Sequence, residues 1–160
     1  MFKQQKGITL IALVITIIVL LILAGITIAM LTGSDSAPAK ANEAKQKNDI
    51  GAAKDQVFMT AQNAQLEYYD NTYVKAGATA DSEATNLATA NTAAGTYVAG
   101  KITAAYPTAG KTTVGDAKIV AAAGSGADAA TITITTRDYS CTGHIAAAGG
   151  ALTWDAIATT

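Results

Sequence analysis

Between Lys6 and Asp35 the chain carries no charged side chain: 28 residues, Gly7 to Ser34, almost all apolar, stand directly behind a short basic leader. Within this run Ile8 to Leu31 is broken only by Thr9, Thr16, Gly25 and Thr27. As a helix rising ~1.5 Å per residue it is about 36 Å long, enough to cross a hydrocarbon core of ~30 Å. The threonines are compatible with lipid, because a helical Thr hydroxyl can bond back to a backbone carbonyl. Lys3, Lys6 and the α-amine all lie N-terminal to the run, whereas residues 35–55 carry equal positive and negative charge. Positive charge on the cytoplasmic side then places the N-terminus inside and the rest of the chain outside. Three roles suit such a segment: an uncleaved single-pass anchor, a secretory signal, or a helix that is trimmed and kept. Ala37-Pro38-Ala39 before Lys40 offers a small-x-small cleavage site, but the run far exceeds the ~7–15 apolar residues of a secretory peptide.

Composition limits the remainder of the chain. Of 160 residues, much of the Leu and Ile is spent in the N-terminal run, and the other segments rely on Ala, whose burial contributes little per residue. One modest domain with a small core is expected. The net charge of −1 becomes −3 once Lys3 and Lys6 are removed, which gives no electrostatic basis for binding nucleic acid. A single cysteine, Cys141, excludes an intrachain disulfide.

The leader ending in Gly7, followed by Ile8-Thr9-Leu10-Ile11 and a long apolar helix, resembles the N-terminus of a type IV prepilin. The resemblance covers roughly residues 3–31. It implies that a membrane-embedded prepilin peptidase cuts between Gly7 and Ile8, that the new N-terminus at Ile8 is methylated, and that the helix stays on the mature protein. Thr9, Leu10, Ala12 and Gly25 would then belong to the assembly helix. Pilins of this type usually carry a glutamate at the fifth mature residue, where this chain has Ala12. The glutamate's pairing with a neighbouring subunit's amine is therefore absent, leaving assembly by apolar packing or an unusual mode of entry. A helix apolar on all sides is stable only among lipid tails or other apolar helices, and a pilin uses both in turn. Ala24, Gly25 and Ala29 would either let helix backbones approach closely or act as membrane filler. Gly25, which lowers helix propensity by ~1 kcal/mol, is also a natural point for local unwinding.

After Leu31 the character changes. Thr32-Gly33-Ser34-Asp35-Ser36-Ala37-Pro38 predicts a break, with a second helix starting near Pro38. Ala44, Ile50, Ala53, Val57, Ala61, Ala64 and Tyr68 fall three or four apart, with one wider step, and form an apolar stripe. Residues 69–94 read as a polar loop with a short helix near 82–90. Gly95 to Tyr106 reads as another short helix, although Tyr97, Val98 and Ile102 also suit a strand. Ala117 to Ala123 reads as a strand, Gly124-Ser125-Gly126 as a turn, and Ala130 to Thr136 as a strand with an Ile face inward and a Thr face outward. Strands near Ser140–Ala146 and Ala151–Asp155 flank Gly149-Gly150 as a hairpin.

The sequence holds no recognisable catalytic set. Cys141 and His144 are three apart, so on a strand they face opposite sides, and zinc normally needs four ligands. Asp128, Asp138 and Asp155 have no sequence reason to converge. The tyrosines and Trp154 suit a small core and subunit contacts better than a ligand cage. No metal and no cofactor are expected, and the chain does not read as an enzyme.

The expected fold is α+β, a long N-terminal helical spine packed on a small antiparallel meander. Its parts are a leader (1–7), a transmembrane or filament-core helix (8–34), an amphipathic second half (35–70) and a head (71–160). The expected role is a structural subunit of a type IV pilus-like filament, held in the cytoplasmic membrane and then assembled on the cell surface. Its partners would be further copies of itself, a prepilin peptidase and assembly machinery. The alternatives are a pseudopilin of a secretion or DNA-uptake system and a membrane-anchored extracellular binding module.

Overall fold

The computed structural model describes residues 5–33, 35–71, 83–109 and 112–160. Three helices precede the sheet: α1 (Gln5–Thr32), α2 (Ala37–Tyr69) and α3 (Glu83–Ala105). Six strands follow: β1 (Thr112–Val114), β2 (Ala117–Ala123), β3 (Asp128–Thr135), β4 (Tyr139–Ala146), β5 (Leu152–Trp154) and β6 (Ala158–Thr159). The architecture is α+β, as expected. The chain divides into two compact units after Ala44, inside α2.

In the first unit, Thr16, Thr27 and Thr32 of α1 satisfy their hydroxyls on the helix itself. Thr16 Oγ1 donates to Leu13 O (2.8 Å), Thr27 Oγ1 to Ala24 O (2.9 Å) and Thr32 Oγ1 to Ile28 O (2.9 Å). The helix stops at Thr32, and Ser36 N donates to Gly33 O across the break (2.9 Å). Ser36 is the N-cap of α2: its hydroxyl accepts from Ala39 N (3.4 Å), and its carbonyl accepts from Lys40 N (3.0 Å). Pro38 falls in the first turn, where a missing N–H leaves no helical bond unmade.

In the second unit, α2 buries Gln46, Ile50, Ala53, Val57, Ala61 and Ala64, spaced three or four apart. Two ends of the expected stripe differ. Ala44 is exposed and falls in the first unit, while Tyr68 is only half-buried. The position that continues the buried line N-terminally is Gln46, 3% exposed.

The expected loop with two short helices is corrected. Residues 83–105 form one continuous helix, α3, because nothing between Ala90 and Gly95 stops it; the part of the expected loop at 72–82 lies outside the described residues. Tyr97, Val98 and Ile102 are therefore helical, with Val98 and Ile102 fully buried. At Gly95 the helix meets the turn after β4 so closely that a Cβ would lie 2.1 Å from Ala147 O. Only glycine permits that approach.

The strands run β1-β2-β3-β4-β5, all neighbours antiparallel, and β6 also pairs with β4. Ile119 faces Ile134, Ala121 faces Ile132 and Ile134 faces Cys141, so one face of the sheet is apolar across three strands. That face joins Ile50, Val57, Val98 and Ile102 of the helices in a single core. The opposite face carries Lys118, Val120, Thr131, Thr133, Thr135, Thr142 and His144, as the Thr-outward reading of residues 130–136 expects. Gly149 and Gly150 both take positive φ (73° and 67°) in the turn between β4 and β5, where the hairpin was expected. The sheet's outer strands are short: β1 and β5 have three residues each, and β6 has two. Neither β1 nor β6 was legible as a strand.

Helix α2 also ties the sheet's turns by hydrogen bonds. Gln46 accepts from Asp138 N (2.9 Å) and donates to the Asp138 carboxylate (2.7 Å), holding the β3–β4 turn. Asp49 accepts from Asp116 N (3.0 Å), and Lys45 pairs with the Asp116 carboxylate, holding the β1–β2 turn. Gln65 Nε2 donates to the carbonyls of Gly149 and Gly150 (2.9 and 3.0 Å), holding the β4–β5 turn.

Two substitutions test this account by denaturant unfolding of the full chain in detergent micelles. Ile132→Ala, at a fully buried site, should destabilise the head by about 2–5 kcal/mol. Gln46→Ala, which removes a buried side chain and both of its bonds to the Asp138 turn, should cost about 1–3 kcal/mol, more than Gln62→Ala on the exposed side of the same helix.

Candidate assembly helix and the chemistry of the head

Gly7, Ile8 and Thr9 lie in the first turns of α1, and leader residues 1–4 fall outside the described residues. From Leu10 onward every side chain of α1 is exposed. Sixteen large apolar residues, Leu10 through Leu31, are 45–73% exposed. Fully covering such a side chain contributes about 1.5–3 kcal/mol, so covering the half that remains open on all sixteen is worth on the order of 15–20 kcal/mol. That exceeds the ~5–15 kcal/mol by which a typical domain is stable. A helix in this state requires an apolar surrounding. By length and composition α1 can cross a membrane, and none of its apolar window is buried within the protein.

Gly25 stays within the helix, and a Cβ there would meet nothing within 4 Å. Ala12 is exposed, two residues after Leu10, with no charged residue anywhere in the run around it. The small residues Ala24, Gly25 and Ala29 lie within about one and a half turns of each other.

In the head, Cys141 and His144 face opposite sides of β4. Cys141 is 2% exposed on the apolar face and donates through Sγ to Asp155 O (3.2 Å). His144 lies on the Thr face, where two of the three carboxylates read as scattered in fact converge. Its Nδ1 lies 2.8 Å from an Asp128 oxygen and its Nε2 3.2 Å from an Asp155 oxygen. Asp128 reaches the ring because a register shift after it, at the start of β3, leaves it opposite Ala146. Asp155 reaches it from the gap between β5 and β6. Hydrogen bonds to Asp128 first, then to Asp155, hold the imidazole's pKa above its ordinary 6.5. Asp138, the third carboxylate, serves Gln46 instead. Sequence spacing gave no hint of this grouping, since it depends on the β3–β4 register and on the break between β5 and β6.

The aromatic residues divide between core and surface. Tyr106 is buried, with its hydroxyl 3.1 Å from Thr60 Oγ1. The Trp154 ring packs over Gly143, with Lys54 Nζ 5.3 Å from its centroid. Tyr68, Tyr69 and Tyr97 form a partly exposed cluster, Tyr97 donating to Glu67 (2.8 Å) and Lys101 pairing with the same carboxylate (3.0 Å). Among the described residues no three His, Cys, Asp or Glu side chains gather to hold a metal ion. No protein-family model, curated protein or solved structure matches this chain.

The apolar demand of α1 is directly measurable. The full chain should sediment with membranes and resist an alkaline carbonate wash. Leu20→Arg, which places a charge near the middle of the run at an insertion cost of about 2.5–3.5 kcal/mol, should reduce the membrane-bound fraction.

Proposed function

We propose that this protein is a type IV pilin-like structural subunit. It inserts with its N-terminus inside, is cut between Gly7 and Ile8, is methylated at Ile8, and polymerises through the α1 helix. The observation that carries this reading is α1 itself: a 28-residue helix whose apolar side chains are open on every side from Leu10 onward, behind a short basic leader that ends in glycine. A membrane satisfies those side chains before assembly, and a bundle of identical helices satisfies them afterwards. Transfer between the two costs little, because lipid tails and Leu side chains are similarly apolar. The head is compatible with the reading: Gln46, Asp49 and Gln65 are used to fix its turns, and its outer sheet face is rich in threonine.

Ala12 gives this subunit a particular character. With no carboxylate in the run, the register between helices is set by shape, through the small residues at 24, 25 and 29 and the branched side chains around them. A buried acid would need a partner in hydrocarbon, and Ala12 removes that requirement.

N-terminal sequencing or intact mass measurement of surface filaments should give a chain beginning at methylated Ile8. A chain beginning at Met1 or Lys40 would overturn the proposal. Gly7→Leu should block both cleavage and filament formation, leaving the uncut chain in the membrane; filaments that kept their leader would contradict the mechanism.

A further inference from the structure

We infer that His144 is a pH-sensitive clasp that fastens the C-terminal edge of the sheet to the β3–β4 hairpin. The inference rests on the geometry of the head and is independent of the pilin reading.

Both nitrogens of the ring face carboxylates, Asp128 at 2.8 Å and Asp155 at 3.2 Å. An imidazolium donates from both nitrogens, so it satisfies both acids at once. A neutral imidazole has one N–H and one lone pair, and the lone pair would then confront a carboxylate oxygen. Loss of the proton therefore opens one side of the clasp. The Asp155 side yields: its contact is longer, and its side chain is 63% exposed against 31% for Asp128.

The segment that Asp155 anchors is weakly held elsewhere. β5 and β6 are successive pieces of one edge beside β4, interrupted at Asp155-Ala156-Ile157. β6 pairs through only two positions, Tyr139 with Thr159 and Ser140 with Ala158. Beyond the clasp, the interruption is held by Asp155 N donating to Thr142 O (2.9 Å) and by the Cys141 thiol on Asp155 O. The end of the chain is held by Thr160 N donating to Asp138 O (3.0 Å).

The charged surroundings of the ring are simple. β3 contributes Asp128, and the segment after β5 contributes Asp155. The residues paired directly with His144 are Thr131 and Thr153, both uncharged. On the same face of β2, Lys118 pairs with Thr135, four residues along β3 from Thr131. On this edge the helix cation Lys54 lies over Trp154, whose partner Gly143 is on the core face. Among the described residues, the ion pairs of Asp128 and Asp155 are made with His144 and with no lysine or arginine.

The sign of the linkage follows from a pKa held above 6.5 in the folded head. The clasp's contribution is fully present below 6.5 and is lost as pH rises through the higher folded value. His144 is the chain's single histidine, so its ring signal in an NMR titration is unambiguous. In the full chain in detergent micelles, the midpoint should lie above 6.5.

Hydrogen-exchange protection of the Asp155 and Thr160 amides, corrected for intrinsic rates, should fall about tenfold between about pH 5.5 and pH 8.5. The Ile132 amide, in the middle of the sheet, should keep its protection across that range and so reports an intact fold. His144→Gln should abolish the pH dependence at residues 155 and 160, and Asp155→Asn should weaken it. A midpoint at or below 6.5, or the same loss of protection in His144→Gln, would overturn the inference.

Discussion

The stripe on α2 from Ile50 to Ala64, laid against the isoleucines of β2, β3 and β4, is the contact on which the head depends. Its side chains are small. Isoleucine supplies most of the bulk, and alanine at 53, 61 and 64 lets the helix come close. Closeness brings short polar side chains of the helix within reach of the sheet's turns. Gln46, Asp49 and Gln65 then bond backbone groups that would otherwise be left facing the helix. A head poor in large apolar residues thus adds directional bonds to a thin core. Gln46, which is itself buried, makes the costliest of these bonds to lose, because losing its side chain leaves both a cavity and an unmet turn amide.

The two units show opposite relations to water. In the head, apolar residues turn toward one another and hydroxyls turn outward. In α1, from Leu10 onward, the same kinds of residue point outward, and the hydroxyls of Thr16, Thr27 and Thr32 close on the helix backbone. That contrast made α1 and the principal strands legible in the sequence. Continuous apolarity and strict alternation are both strong local patterns, so β2, β3 and β4 emerged close to where they were expected. The N-terminal break was legible for the same reason, since Gly33, Ser36 and Pro38 each act within one turn of helix.

What was not legible depended on contacts remote in sequence. The run 83–105 is rich in Ala and Thr, which signal neither helix nor loop strongly, and its helicity is fixed by docking Val98 and Ile102 into the core. Strands β1 and β6 are too short to show a period. Gln46 lies one helical turn before Ile50, on the line of the apolar stripe. A polar residue in that place is a signal that a hydrogen-bond partner awaits it, but the partner, Asp138, lies 92 residues further on. The gathering of Asp128, His144 and Asp155 is likewise a product of register.

The short outer strands have a consequence for how this chain can multiply. A sheet ending in a long, straight strand offers its unpaired backbone to any other sheet, and copies can then join edge to edge without limit. Here one edge ends in the three residues of β1 and the other in the interrupted pair β5 and β6, so neither presents a run long enough to recruit another sheet. For a subunit proposed to polymerise through its N-terminal helix, crowded at high local concentration, this matters as much as the helix. On that proposal, the short edges keep the head from competing with α1 for growth, so that polymerisation would rest on a helix able to pass between membrane and filament.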